Sequence, residues 1–266
     1  MDQVAYSKIC LVVLRNSIIQ RYRITEFGSF QWFGSNATAF RSVALGDNTT
    51  ASGENAFSGG VGSQATFSNS FSFGLNNQST NFGAVTFGNN TVASGSNAVA
   101  FGSGSVSSGD GSFSFGRGSN TASGNGSFAF GPQFTEASGN GSVAGGFDVF
   151  STNIGAFAFG ENVQVTGPFA LGIGQAIQST GNNAIALGVF NQANGNGSVS
   201  IGTRIQANNQ GSFVLGYNDT TSAWFLNNPI DRSLMVGFNS DISTLFVGQG
   251  TGPGTTGNLG IGEAVV

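Results

Sequence analysis

The stretch NTASGNGSFAFG (residues 120–131) decides how the rest of the chain is interpreted. It consists of glycine, small residues and two phenylalanines, and much of the 266-residue chain has a similar composition. Only 8% of all residues are charged, 44 are glycine and none is histidine, a composition that usually favours disorder. The 26 phenylalanines argue against disorder, because disordered chains are poor in aromatic residues.

The glycine that ends this stretch recurs along the chain, each time after a short apolar run. The aligned glycines are Gly34, Gly46, Gly60, Gly74, Gly88, Gly102, Gly116, Gly131, Gly146, Gly160, Gly172, Gly188, Gly202 and Gly216. Their successive spacings are 12, 14, 14, 14, 14, 14, 15, 15, 14, 12, 16, 14 and 14 residues. The adjacent 12 and 16 add up to two normal units, so the register recovers. Self-similarity at a fixed period indicates a repeat architecture.

Large and small side chains alternate before these glycines. The first and third residues before the glycine are mostly Phe, Val, Leu or Ile, and a small residue lies between them. This period of two predicts a β-strand whose faces have different neighbours. Ala or Ser nine residues before the glycine marks a second short strand, and Gly and Asn separate the two at tight corners. Each unit therefore predicts one coil of a narrow parallel β-solenoid.

The alternation also leads to a prediction of which residues fill the coil. Two large side chains from one strand would fill a thin interior, with Ala or Ser opposite them. The predicted interior residues are Phe71, Phe73, Phe113, Phe115, Phe128, Phe130, Phe157, Phe159, Ile185 and Leu187. The small residues between them would then face outward, where we expect another backbone to pack closely: Ala44, Ala100, Ala129, Ala158 and Ala186.

The repeats resemble the YadA-like heads of trimeric autotransporter adhesins, whose unit is similar to NSVAIG followed by small and polar residues and A-x-G. The matching segments are RSVALG (41–46), SNAVAFG (96–102), NNAIALG (182–188) and GSVSIG (197–202), and the resemblance covers about residues 35–216. It implies a left-handed parallel β-roll and a homotrimer packed around one axis, which makes the small outward residues the expected trimer face. The chain departs from the family in having Phe at many positions where Ile or Val is usual, and it has no heptad run of a coiled-coil stalk.

Three segments are expected along the chain: an atypical N-terminal segment (1–29), the repeat head (30–216) and a C-terminal β-rich cap or neck (217–266). The first contains the short apolar run ICLVVL (9–14) followed by charges, which makes a poor secretory signal. The last holds two apolar strands, SLMVG (233–237) and TLFVG (244–248), and ends in a Gly-rich and Thr-rich tail. It resembles segments that follow repeat heads in bacterial surface proteins and phage-like fibres. We therefore expect the chain to be either a fragment of a longer fibre or a fibre product that is cut after assembly.

Several classes of function are disfavoured by composition. Nucleic-acid binding requires clustered Lys and Arg, whereas the eight basic residues here are mostly scattered. The lone Cys10 and the absence of His disfavour a metal site and an activated nucleophile, so we expect no enzyme and no cofactor. No apolar run reaches the roughly 18 residues of a membrane span.

The leading hypothesis is a non-enzymatic, homotrimeric adhesin or fibre head, displayed outside a bacterial cell and attached to a protein or glycan of a host or cell surface. Two alternatives remain open. One is a phage or phage-like tail fibre that recognises cell-surface glycans and is located on the virion. The other is an extracellular filament of protomers stacked end to end, because solenoid ends expose unpaired strands. The sequence identifies no ligand and no ligand-binding residue.

Overall fold

The computed structural model describes residues 8–12, 20–24, 28–32, 34–219, 225–239, 242–250 and 256–262. These residues form strands, turns and bends without helix, so the all-β prediction is confirmed for them. Two compact units divide the chain, Met1–Gln133 and Phe134–Val266. Each unit contains coils of a β-solenoid.

The first unit begins with antiparallel strands and continues with parallel ones. Strand β1 (Lys8–Val12) pairs with β2 (Gln20–Ile24), which pairs with β3 (Phe30–Trp32). Strand β3 then pairs in parallel with β5 (Val43–Asp47), and every later pairing described in this unit is parallel. The first parallel pair described in this unit therefore joins Phe30 to Val43.

Two sheets stack along the coils of the first unit. The first sheet contains the longer strands β3, β5, β7 (Phe57–Val61), β9 (Phe71–Leu75), β11 (Val85–Asn89), β13 (Val99–Ser103), β15 (Phe113–Arg117) and the beginning of β17 (Phe128–Ala137). The second sheet contains two-residue strands: β4 (Asn36–Ala37), β6 (Thr50–Ala51), β8 (Gln64–Ala65), β10 (Gln78–Ser79), β12 (Val92–Ala93), β14 (Val106–Ser107) and β16 (Thr121–Ala122). Phe57 pairs with Phe71 and Phe71 with Val85, which confirms the fourteen-residue coil.

The second unit repeats this arrangement with longer strands at its start. Strands β18 (Val143–Ser151), β19 (Phe157–Val165) and β20 (Leu171–Ser179) run through both sheets. The first sheet continues with β21 (Ile185–Val189), β23 (Val199–Thr203), β25 (Phe213–Tyr217) and β27 (Leu234–Phe238), and the second with β22 (Gln192–Ala193), β24 (Ile205–Ala207) and β26 (Leu226–Asn228). Strands β28 (Leu245–Val247) and β29 (Leu259–Ile261) add antiparallel pairs onto β27.

Parallel pairing extends beyond Gly216, the residue at which the sequence predicts the head to end. Phe213 pairs with Leu234 and Gly216 with Gly237, so residues 217–237 contain one more coil with a longer connection. The apolar strand SLMVG (233–237) is part of that coil, whereas TLFVG (244–248) pairs with it in the antiparallel direction. Longer connections at a corner are tolerated because they leave the pairing of the strands unchanged.

The irregular glycine spacing around residue 172 is a misalignment that the structure corrects. Gly160 pairs with Gly174, and Gly174 with Gly188, so the spacings of 12 and 16 become 14 and 14. Gly172 instead occupies a position where the other coils have an inward-facing small residue. A Cβ atom there would lie 2.6 Å from Val165 Cγ2, because larger side chains fill the interior of this coil.

The structure reverses the predicted interior and exterior of the coil. All five alanines of the expected trimer face are fully buried inside one chain: Ala44, Ala100, Ala129, Ala158 and Ala186. The residues predicted to fill the interior are half-buried or exposed on the outer surface: Phe71, Phe73, Phe113, Phe115, Phe128, Phe130, Phe157, Phe159, Ile185 and Leu187. Both parts of the prediction are therefore wrong.

The narrow separation of the two sheets explains this reversal. Ser58 Oγ donates to the carbonyl oxygen of Ser63 across the interior at 2.7 Å, and Ser79 Oγ donates to that of Phe71 at 2.7 Å. A hydroxyl can reach a carbonyl of the opposite sheet only where the backbones lie close, and no phenyl ring fits into that space. Inward positions beside these hydrogen bonds therefore hold small residues such as Ala, Ser or Thr, and the phenylalanines of the first sheet point outward. Some coils of the second unit instead bury aliphatic side chains such as Val165 and Ile177.

Candidate functional site

The outward face of the first sheet in the first unit is a continuous row of large apolar side chains. We call this row the apolar stripe: Val43, Leu45, Phe57, Phe71, Phe73, Val85, Phe87, Val99, Phe101, Phe113, Phe115, Phe128 and Phe130. Phe87 and Phe115 are 46% and 55% exposed. Exposed apolar surface that continues over many residues marks an interaction site in soluble proteins.

Neighbouring rings of the stripe contact one another. The rings of Phe57 and Phe71 stack with centroids 5.0 Å apart, and those of Phe73 and Phe87 with centroids 5.5 Å apart. These separations are typical of attractive offset-stacked pairs. The parallel in-register pairing places equivalent residues of successive coils side by side, so the stripe follows directly from the period of the sequence.

The second unit has an equivalent outward row on its own first sheet. It includes Val143, Phe157, Phe159, Leu171, Ile173, Ile185, Leu187, Val199, Ile201, Phe213 and Leu215. Phe159 is 44% exposed and Leu215 is 42% exposed. Aliphatic residues replace several of the phenylalanines here, but the row keeps its apolar character.

A column of glycines holds successive coils close together beside the stripe. Gly88 has a φ of +133°, and a Cβ atom at this position would lie 1.8 Å from the carbonyl oxygen of Gly102. Gly102 meets Gly116 in the same way. Only glycine combines this backbone angle with so close an approach, which is why it recurs once in each coil.

A row of buried asparagines stabilises the corner that follows. Asn77 is fully buried, and its Nδ2 donates to the carbonyl oxygens of Phe73 and Gly88 at 2.7 and 2.8 Å. Its Oδ1 accepts hydrogen bonds from the backbone N–H and the hydroxyl of Thr91 in the next coil. Asn120 and Asn191 donate in the same way to Gly131 and Gly202. Each buried amide therefore connects two coils.

The outward face of the second sheet is mostly polar, in contrast to the stripe, with Val92, Val106 and Phe150 as apolar exceptions. Gln64 pairs with Gln78 in the first unit, and Gln164, Gln178, Gln192 and Gln206 are successive partners in the second. Gln64, Gln78, Gln164 and Gln178 are exposed. Each solenoid unit therefore has one apolar outer face and one that is richer in polar side chains.

The described residues contain no group of three or more His, Cys, Asp and Glu side chains that could hold a metal ion. Nor do they contain any helix long and apolar enough to cross a membrane. The side chain of Cys10 lies outside the side chains that the structure describes.

Sequence reasoning found the alternation but assigned its faces incorrectly, and a further signal was present. The residue four positions before the glycine is small in coil after coil, as at Ser42, Ala56 and Ser70. It lies on the same side of the strand as the small residue two positions before the glycine, because side chains alternate with period two. Two small residues on one face, opposite the small residues of the second strand, are the pattern of a thin interior.

Comparison with known protein families agrees with this architecture. The family model of the YadA head domain repeat matches residues 37–58, 93–119 and 179–204. None of the curated proteins compared with the chain matches it. The match gives no support to the alternative of a virion tail fibre. The coils within these three ranges are therefore similar to YadA head repeats.

Proposed function

We propose that the chain is a non-enzymatic adhesive head that is displayed on a bacterial cell surface and assembles as a homotrimer of left-handed β-rolls. The observation that carries this proposal is the apolar stripe, part of which lies on coils that match the YadA head repeat (residues 37–58 and 93–119). In this proposal the stripe, rather than the row of alanines, forms the contact between chains.

The free energy of burying the stripe favours assembly. Complete burial of a Phe or Leu side chain contributes about 1.5–3 kcal/mol relative to exposure. Phe73, Phe87 and Phe115 retain 40%, 46% and 55% of their surface, so each offers a substantial fraction of that value to a partner. Identical stripes on identical chains are self-complementary in composition, and closed rotational symmetry lets every chain bury its stripe.

The oligomeric state of the purified full chain is the first test. Light scattering coupled to size-exclusion chromatography should give about three times the chain mass of 27.0 kDa. A particle of one chain mass with a β-type circular dichroism spectrum would contradict the trimer.

Adhesion is tested separately with beads that carry the protein. Beads coated with the native chain should adhere to cultured cells or to immobilised matrix, whereas beads coated with the heat-denatured chain at the same density should not. Equal adhesion of both kinds of bead, or of neither, would contradict the adhesive function.

A further inference from the structure

A groove lies on the polar face of the second unit, on the side of the coils away from the outward apolar row. We call it the amide groove and define it by Asn162, Gln164, Gln178, Gln192, Phe190 and Phe225, which line a volume of about 180 Å³. Four of these six side chains are amides and two are phenyl rings. None of the six is charged.

The strands position the amides at regular intervals. Gln164 pairs with Gln178 and Gln178 with Gln192, so their side chains follow one another at the spacing of neighbouring strands, about 4.8 Å. Gln178 lies between Ile177 and Ser179, which are fully buried, and it therefore points outward. Gln164 and Gln178 are both exposed, so their amide groups are accessible to a ligand.

The two rings come from corners of different coils. Phe190 has a left-handed φ of +54° at a position where other coils have Asn76 or Asn90, and it is 41% exposed. The Arg204 guanidinium lies 5.8 Å from the Phe190 ring centroid and 5.1 Å from that of Phe225. This cation contacts both rings and thereby holds them at one end of the groove.

We propose that the amide groove binds a neutral carbohydrate chain. Each Gln or Asn amide offers both a hydrogen-bond donor and an acceptor, which suits the hydroxyl groups of a sugar because a hydroxyl also donates and accepts. The phenyl faces offer apolar surface to the C–H face of a sugar ring. None of the six lining side chains is charged, and the Arg204 guanidinium at the end of the groove lies against the two phenyl rings, so the amides are the main polar groups offered to a ligand.

The backbone pairing of the second sheet disfavours a polypeptide as the ligand. An extended peptide gains affinity by adding a strand to an open sheet edge, whereas the backbone of Gln178 at the groove is already bonded to a neighbouring coil, as shown by its N–H donating to the carbonyl of Asn191. Only side chains are left for recognition. Repeated amides at one strand spacing suit a polymer of repeated hydroxyl-bearing units.

This inference rests on the proposed adhesive function, for which it supplies the class of ligand. Assembly through the outward apolar row leaves the groove open, because the first and second sheets present opposite outer faces.

The test uses affinity electrophoresis of the full chain through gels that contain dextran, laminarin, starch or galactomannan, with gelatin and hyaluronate gels alongside. We expect retardation by at least one neutral polysaccharide. The double variant Gln164→Ala/Gln178→Ala and the variant Phe190→Asn should each weaken the apparent affinity at least tenfold.

Matched controls exist for both changes. Gln64→Ala/Gln78→Ala removes the same pair of exposed, in-register amides from the first unit. Phe169→Asn makes the same substitution at another exposed Phe with a φ of +54°, which does not line the groove. Both controls should bind like the unmodified chain.

Three outcomes would overturn the inference: no retardation by any neutral polysaccharide, equal retardation of groove and control variants, or retardation by gelatin or hyaluronate alone. The bead assay separates these results from failure of the proposed function. If one of these outcomes occurs while beads carrying the native chain still adhere, the adhesive function stands and the groove assignment fails.

Discussion

The ring of Phe71 stacks on the ring of Phe57 outside the coil, 5.0 Å away and inclined by 10°, while Ser72, the next residue, is fully buried. The same arrangement, with a large side chain outside and the following small side chain inside, recurs along the first sheet. Phe71, a residue type that is usually buried, lies on the surface, whereas Ser72, a residue type that is usually exposed, fills the interior.

Removing two phenylalanines from the apolar stripe should dissociate the assembly. Phe73→Ser/Phe87→Ser removes adjacent rings that are 40% and 46% exposed, so the change removes surface that the proposed interface buries. Light scattering should report a shift from three chain masses to one, with the β-type circular dichroism spectrum retained. The control Phe67→Ser/Phe82→Ser changes two exposed rings at corners outside the stripe and should leave the mass unchanged. A trimer that survives the stripe variant would contradict the interface.

Enlarging an inward residue should destabilise the coil itself. Ala100→Phe introduces a ring at a fully buried position, and overpacking of a close-packed interior costs about 1–3 kcal/mol or more. In urea unfolding we expect the free energy of unfolding to fall by about 3 kcal/mol, because the opposite sheet lies too close to make room for the ring. Val99→Phe is the matched control, since its neighbour in the next coil is already Phe113. Equal midpoints for the two variants would show that the faces are assigned incorrectly.

The glycine column should not tolerate a methyl group. Gly88→Ala places a Cβ atom within 1.8 Å of the carbonyl oxygen of Gly102, whereas Gly111→Ala at a φ of +63° meets no atom within 4 Å. The second change should cost only the left-handed backbone strain of about 1–2 kcal/mol. The first should lower the thermal unfolding midpoint much further or prevent folding. Similar midpoints would contradict the close approach of the coils.

The buried asparagine should contribute more to stability than its exposed neighbour. Asn77→Ala removes one donated hydrogen bond within its coil, to Phe73, and three with the next coil, one donated to Gly88 and two accepted from Thr91. Each buried group left without a partner costs about 1–3 kcal/mol, so urea unfolding should detect a loss of several kcal/mol. Gln78→Ala, at an exposed position one residue later, should change the free energy of unfolding by less than about 0.5 kcal/mol. A small loss for Asn77→Ala would mean that water replaces the amide.

The sequence by itself determined the repeat, the two strands of each coil and the parallel stacking. Those features follow from the fourteen-residue period, the two-residue alternation and the turn-forming residues at the corners, all of which are local. The resemblance of segments such as RSVALG (41–46) to YadA-like heads is likewise carried by a few consecutive residues. The irregular spacing at Gly172 could not be corrected in this way, because the reason for a glycine there is the size of Val165 and Ile177 nearby in space.

Only the tertiary structure decided which face of the strand is inside. Alternation shows that the two faces of the strand differ, but it does not show which face is buried. The usual rule that large apolar residues are buried gives the wrong face here. Which face is buried depends on the distance between the two sheets, which is short enough for Ser79 Oγ to donate to the carbonyl of Phe71. The amide groove has the same origin, since Phe190, Phe225 and Gln178 come from three different coils and meet only when those coils are stacked. The period of the repeat can be read from the order of the residues, whereas the distance between the two sheets is set only when the coils fold and stack.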